Sequence, residues 1–235
     1  MSSERLCFTG SPQPWLKVCG LRRPDQAAAV AALGVDALGV IAVDRSPRWL
    51  EPVRRPELFS AMAEASPRCC GVLVVADPTD DDLEPLGPGL GHQVLQLHGA
   101  ETPQRCRQLR RQLGPELLLW KALRIRDAAD LERAAAYGDA VDGLLLDAWV
   151  PDQLGGTGHR IPIEWLEGFA PPLPWWLAGG ITPERVVPVM GALAGCSPQG
   201  LDVSSGVELS PGDKDLQRVA ALVAAVETVR QDRSS

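Results

Sequence analysis

The chain has 235 residues, 45% of them hydrophobic and 23% charged, with 30 acidic against 23 basic residues and a formal charge of −7. That composition fits an ordinary globular protein and excludes a disordered or fibrous one. Without a basic block interleaved with aromatics it also argues against a nucleic-acid partner. Met1 to Trp15 lacks the apolar core of a secretory signal, and Asp36 interrupts the longest later apolar run before it reaches spanning length. No membrane partner is expected, and the location is expected to be cytoplasmic.

From Trp15 onward, short apolar runs ending in turn residues alternate with segments of helical period, the pattern of parallel strands joined by crossover helices. The predicted strands are 15–19, 37–43, 70–76, 93–97, 117–122, 143–147, 175–178 and 200–204. The intervening helices are predicted over 25–33, 57–64, 103–113, 128–137, 163–169 and 184–193, and a last one runs around 215–229. The third connection, 80–91, holds two prolines and three glycines, so only a short helical turn is expected there. Eight β/α units in a chain this long match a single (β/α)8 barrel, a fold of about 250 residues. An open doubly wound sheet uses the same units, but no Gly-x-Gly-x-x-Gly follows the first strand. The domain is placed at 15–235, preceded by a flexible N-terminal extension, 1–14. The six cysteines are scattered at 7, 19, 69, 70, 106 and 196 in a chain too long for a small stapled fold, so reduced thiols are expected.

In a barrel, chemistry collects where the strands end. Leu177-Ala178-Gly179-Gly180 and Asp202-Val203-Ser204-Ser205-Gly206 close the last two strands. Glycines let backbone N–H groups approach an anion and serines add hydroxyl donors, so Gly179, Gly180, Ser204, Ser205 and Gly206 read as a phosphate cradle. A small phosphorylated molecule is the expected partner. Lys17-Val18-Cys19-Gly20 ends the first strand, and period-two alternation puts Lys17 and Cys19 on one face. Cys19 is a candidate base or nucleophile, although an isolated thiol is more often structural. Asp147 ends the apolar run Gly143–Leu146; desolvation there would raise its pKa and suit it to general acid work, while a helix cap is an equal alternative. Asp202 shares a face with Ser204 and could bind substrate hydroxyls or a neighbouring turn. Arg48, in Ser46-Pro47-Arg48, has the fork for a carboxylate or phosphate. Gly155, Gly156, Thr157 and Gly158 suggest a lid or a further cradle. Trp49 and Trp149 are the tryptophans placed nearest the rim. Histidines 92, 98 and 159 show no chelating spacing, so no metal is implied.

Taken in order, Lys17–Gly20, Ser46–Arg48, Gln96-Leu97-His98-Gly99, Leu146-Asp147, Gly155–Gly158, Leu177–Gly180 and Asp202–Glu208 resemble the phosphoribosylanthranilate isomerase family. The strongest segment is Gly200–Glu208, and the resemblance covers nearly all of the chain after Trp15. It implies a cofactor-free Amadori rearrangement in tryptophan biosynthesis, by an intramolecular oxidoreductase of the aldose–ketose type; whether as a monomer or homodimer, the sequence leaves open. By resemblance, Asp147 would be the acid that opens the ribose ring and Cys19 the base that takes the C2 proton. Arg48 would hold the anthranilate carboxylate, the cradle would hold the phosphate, and Asp202 would bind near the reacting sugar. A free thiol is only a few per cent ionised at neutral pH, so the surroundings are expected to favour deprotonation of Cys19, with Lys17 as an available aid. The chain departs from the family pattern at His159, where lysine is usual, and at Val40–Asp44, which is more aliphatic. A dual histidine/tryptophan-pathway isomerase would carry an aspartate in place of Cys19, and a metal-dependent epimerase would need rim histidines that the strand ends are not expected to provide. A non-catalytic phosphate-binding barrel would have no need of Cys19 and Asp147 together.

Overall fold

The computed structural model describes residues 13–149 and 159–233. Eight parallel strands close into a barrel in chain order: β1 (Trp15–Cys19), β2 (Ala37–Ile41), β3 (Cys70–Val75), β4 (Val94–Leu97), β5 (Leu118–Ile125), β6 (Gly143–Ala148), β7 (Trp175–Leu177) and β8 (Gly200–Val203). Pairing of Leu16 with Leu201 and of Lys17 with Asp202 joins β8 to β1, which removes the open sheet as an alternative. All eight expected strands are present, most shifted by a residue or two at their ends. Sequence positions 1–12, most of the expected extension, and the glycine-rich Gly155, Gly156, Thr157 and Gly158 lie outside the described residues.

Alternation along each strand sorts the side chains. Leu16 and Val18 of β1, Leu144 and Leu146 of β6, and Leu201 and Val203 of β8 pack outward against the helices in the larger apolar core. Cys19, Leu145 and Trp176 face the barrel interior with small β-branched and alanine residues. The same alternation carries Lys17, Gln96, Asp147 and Asp202 inward, where a charge persists only with a partner. The lower interior is filled by tryptophans: Trp176 lies 4.7 Å from Trp120 and 6.0 Å from Trp15, centroid to centroid. Gly200 is required beside this cluster, because a Cβ there would sit 2.4 Å from the Trp176 ring.

The connections carry α1 (Pro24–Ala32), α2 (Arg55–Ala65), α3 (Pro103–Leu113), α4 (Pro183–Ala192) and α5 (Leu216–Asp232). Four of the five have proline in the first turn, where a missing N–H costs nothing, and Thr102 and Asp215 cap α3 and α5 through side-chain oxygens. Arg230 of α5 donates to the Pro14 carbonyl and pairs with Asp36 at 2.5 Å, fastening the last helix beside the start of β1. Three expectations change. The segment Ala128–Tyr137 winds as 3-10 rather than α-helix, capped by the Asp127 side chain, which accepts from the Asp130 N–H. The predicted helix 163–169 is a single 3-10 turn, Ile163–Leu166, bounded by Pro162 and by Gly168 at φ +75°. A hairpin that sequence reading did not anticipate, β9 (Glu208–Ser210) with β10 (Asp213–Lys214), follows β8. Gln26 of α1 clamps it, donating to the Lys214 carbonyl at 3.1 Å and accepting from the Lys214 N–H at 3.0 Å.

Cys19, Cys69, Cys106 and Cys196 are free, whereas Cys70 is disulfide-bonded, so the expectation of reduced thiols fails there. Spacing along the chain is no measure of approach in space. Among the described residues no helix is long and apolar enough to cross a membrane.

Candidate active site

The barrel opens at the strand C-termini into a cavity with about 680 Å³ of empty space, its open mouth included. Cys19, Arg48, Asp147, Asp202 and all of Gly179, Gly180, Ser204, Ser205 and Gly206 line it, so residues up to 187 positions apart in the chain meet in one place. Trp49 and Trp149, placed at the rim from sequence, are absent from that lining.

The turns after β7 and β8 interlock. Gly179 and Gly180 take φ of +91° and +61°, a region that costs other residues strain. A Cβ on Gly206 would lie 2.0 Å from the Ile181 carbonyl oxygen, so only glycine lets the two turns touch. Arg185 donates to the Gly180 carbonyl and holds the first turn from behind. Ser204 Oγ donates to the Cys19 carbonyl at 3.0 Å, tying the second turn to the end of β1.

Cys19 sits at the end of β1 opposite Gly39 of β2, where a Cβ would fall 2.5 Å from its sulfur. Burial pushes the thiol up from its usual 9.0; Lys17 pulls it down, Asp202 pushes it up and Lys214 pulls it down, leaving it raised overall. This is opposite in direction to the expectation that the resting site favours the thiolate. The reason is that desolvation of the charged form outweighs two neighbouring ammonium groups. Lys17 is fully buried, and burial alone would lower it. The Asp202 carboxylate, 2.9 Å from Nζ, together with Cys19, outweighs that cost and holds the ammonium above its ordinary value.

A second charged group covers the other wall. Arg48 is bound by Glu208 of the hairpin through Nε–Oε1 at 2.9 Å and Nη2–Oε2 at 2.7 Å. Lys214 reaches the same carboxylate at 2.6 Å and also donates to the Cys19 and Ser204 carbonyls. Two cations therefore share one carboxylate, and this face keeps net positive charge in a chain that is negative overall. Burial would raise Glu208, but Arg48 and Lys214 more than offset it and hold its carboxyl below the ordinary range. Burial lowers Lys214 despite Glu208. Gly20, at φ +88°, leaves room for Arg48, whose Cδ would lie 2.5 Å from a Cβ there.

Across the cavity, Asp147 faces His98, with Oδ2 3.3 Å from Nε2 but off the hydrogen-bond direction, so that Nε2 has no hydrogen-bond partner among the described residues. His98 directly follows β4 and lines the cavity, which overturns the expectation that the strand ends offer no rim histidine. Its Nδ1 meets Gln96 at 3.2 Å, and Gln96 meets Lys17 at 3.0 Å. A polar chain thus runs Asp202–Lys17–Gln96–His98–Asp147 through the interior. Sequence reading missed the roles of His98, Gln96, Lys214 and Glu208. The inward parity of Gln96 and the position of His98 just past a strand end were the signals for the first two; Lys214 lies on a hairpin that no periodicity announced.

A family model described as N-(5'phosphoribosyl)anthranilate (PRA) isomerase matches residues 16–225. The chain is 48% identical over 217 residues to the N-(5'-phosphoribosyl)anthranilate isomerase of Synechocystis sp., covering 91% of this chain and 96% of that one. It is 47% identical over 211 residues to the enzyme of that name from Synechococcus elongatus, covering 90% and 95%. Among solved structures, the phosphoribosyl anthranilate isomerase of Thermus thermophilus aligns with a TM-score of 0.74 at 31% identity, over 92% of this chain and 99% of that one.

Proposed function

We infer, for a chain that belongs to the N-(5'-phosphoribosyl)anthranilate isomerase family, how its cavity carries out that family's rearrangement in tryptophan biosynthesis. The substrate has a phosphate at one end and an aromatic carboxylate at the other. Gly179, Gly180, Ser204, Ser205 and Gly206 take the phosphate, because their backbone and hydroxyl groups surround one end of the cavity. Arg48, which lines the cavity, takes the carboxylate, with Lys214 buried behind it as a second cation on Glu208. Asp202, already held by Lys17, borders the sugar between these ends.

Asp147 donates its proton to the ribose ring oxygen. The C1–O bond pair leaves with that oxygen, and the nitrogen lone pair closes an iminium. Cys19, as thiolate, then takes the C2 proton; the C2–H pair becomes the enolamine double bond and the iminium pair returns to nitrogen. Proton transfer to C1 and loss of the hydroxyl proton give the ketone. A thiol raised by burial is a scarce thiolate in the resting protein, but it is a strong base once formed, and the arriving iminium is a cation that favours its formation.

The observation that carries this reading is the placing of Cys19 and Asp147 on β1 and β6, three strands apart round the ring, in one cavity with the glycine–serine turns between them. Loss of phosphoribosylanthranilate fluorescence follows turnover. Cys19→Ser and Asp147→Asn should each reduce kcat by about 10²-fold or more with substrate binding retained. Undiminished turnover in either variant would remove its assigned role.

A further inference from the structure

Gln96 is buried with its carboxamide held at both ends. Oε1 lies 3.0 Å from Lys17 Nζ, and an ammonium has donors only, so the oxygen must face it. The amide nitrogen is thereby turned toward His98 Nδ1 at 3.2 Å. That nitrogen offers only protons, so Nδ1 must accept and bears none itself. The ring proton of His98 is left on Nε2, which lies 3.3 Å from Asp147 Oδ2 but off the hydrogen-bond direction, so that this proton is unspent.

We propose that Gln96, oriented by Lys17, is a positioning residue that locks His98 as the Nε2–H tautomer, so that the ring meets the Asp147 carboxyl with a donor and cannot take the acid proton from it. This rests on Asp147 being the acid, as inferred above. When the Asp147 proton leaves for the ring oxygen, the His98 N–H, 3.3 Å away and unspent, swings onto Oδ2 and stabilises the carboxylate left behind, the contact forming as negative charge develops. In the other tautomer a bare Nε2 would accept the Asp147 proton and withhold it from the sugar.

The chain has only three histidines, so ring tautomers are readable by two-bond 1H–15N correlation NMR of the labelled protein, with His98→Asn identifying the His98 signals. The wild type should show His98 neutral and protonated at Nε2. Gln96→Glu keeps the length and the acceptor for Lys17, but a carboxylate beside Nδ1 draws a proton there. The variant should show Nδ1 protonated, with kcat down about tenfold or more and KM changed less than about threefold. A wild-type ring protonated at Nδ1 overturns the proposal, and that spectrum decides even if the variant does not fold. An altered tautomer with unchanged kcat overturns it too. Retained turnover in Asp147→Asn would instead defeat the acid assignment while leaving the tautomer result standing.

Discussion

Replacing Lys17 by methionine removes a fully buried ammonium while keeping its length. Asp202, 9% exposed, then loses its cation at 2.9 Å, and Gln96 loses the donor to Oε1. Breaking a buried pair from one side costs about 3–5 kcal/mol, because the surviving charge is left without compensation. For a chain of this size about 1 kcal/mol corresponds to 2–4 °C in Tm, so Lys17→Met should lower Tm by roughly 6–20 °C. The loss belongs to the orphaned carboxylate more than to the missing attraction, so neutralising Asp202 as well should restore stability. Thermal unfolding followed by circular dichroism, on Lys17→Met, Asp202→Asn and the double variant, forms the cycle. At least half of the Lys17→Met loss should return in the double variant. If the double variant melts no higher than Lys17→Met, or if Lys17→Met itself shifts Tm by less than about 3 °C, the pair is not charged and compensated as described.

The Cys106 thiol, fully buried on α3, is pushed up by burial from 9.0 to about 11. An unfolded chain releases that proton near pH 9 and the folded one only near 11. The contribution is therefore complete below pH 9 and lost as pH rises to 11, with an upper bound of about 3 kcal/mol. Urea midpoints of wild type and Cys106→Ala should converge between pH 8 and 10.5; a constant gap would contradict this. Gly206→Ala forces a methyl against the Ile181 carbonyl at 2.0 Å, so KM for the substrate should rise about tenfold or more while kcat changes less, if the turn serves uniform binding. An unchanged KM would take the phosphate away from that turn.

Much of this architecture is visible in one dimension because its causes are local. The parity that puts Lys17 and Cys19 on one face, and the glycines that open the turns after β7 and β8, are properties of a few adjacent residues. Proline and threonine announce the start of α3. The features that escaped are those decided by distant partners. Lys214 reaches the Cys19 carbonyl across 195 residues, and the Asp147–His98 contact joins strand ends from different parts of the ring. The net direction of the Cys19 shift required knowing how completely the thiol is buried. The inward position of Gln96 was legible; the rotation of its amide was not, because it is set by an ammonium 79 residues earlier.

The tryptophan cluster over Gly200 has a consequence for traffic. With Trp15, Trp120 and Trp176 stacked across the N-terminal side of the barrel, the vessel is stoppered at its base, and arrival and departure share one doorway. With the phosphate held in the glycine–serine turns as proposed, a product molecule still seated there bars the next substrate. Exchange is then one out, one in, and the exit step falls to the same turns that are proposed to hold the phosphate.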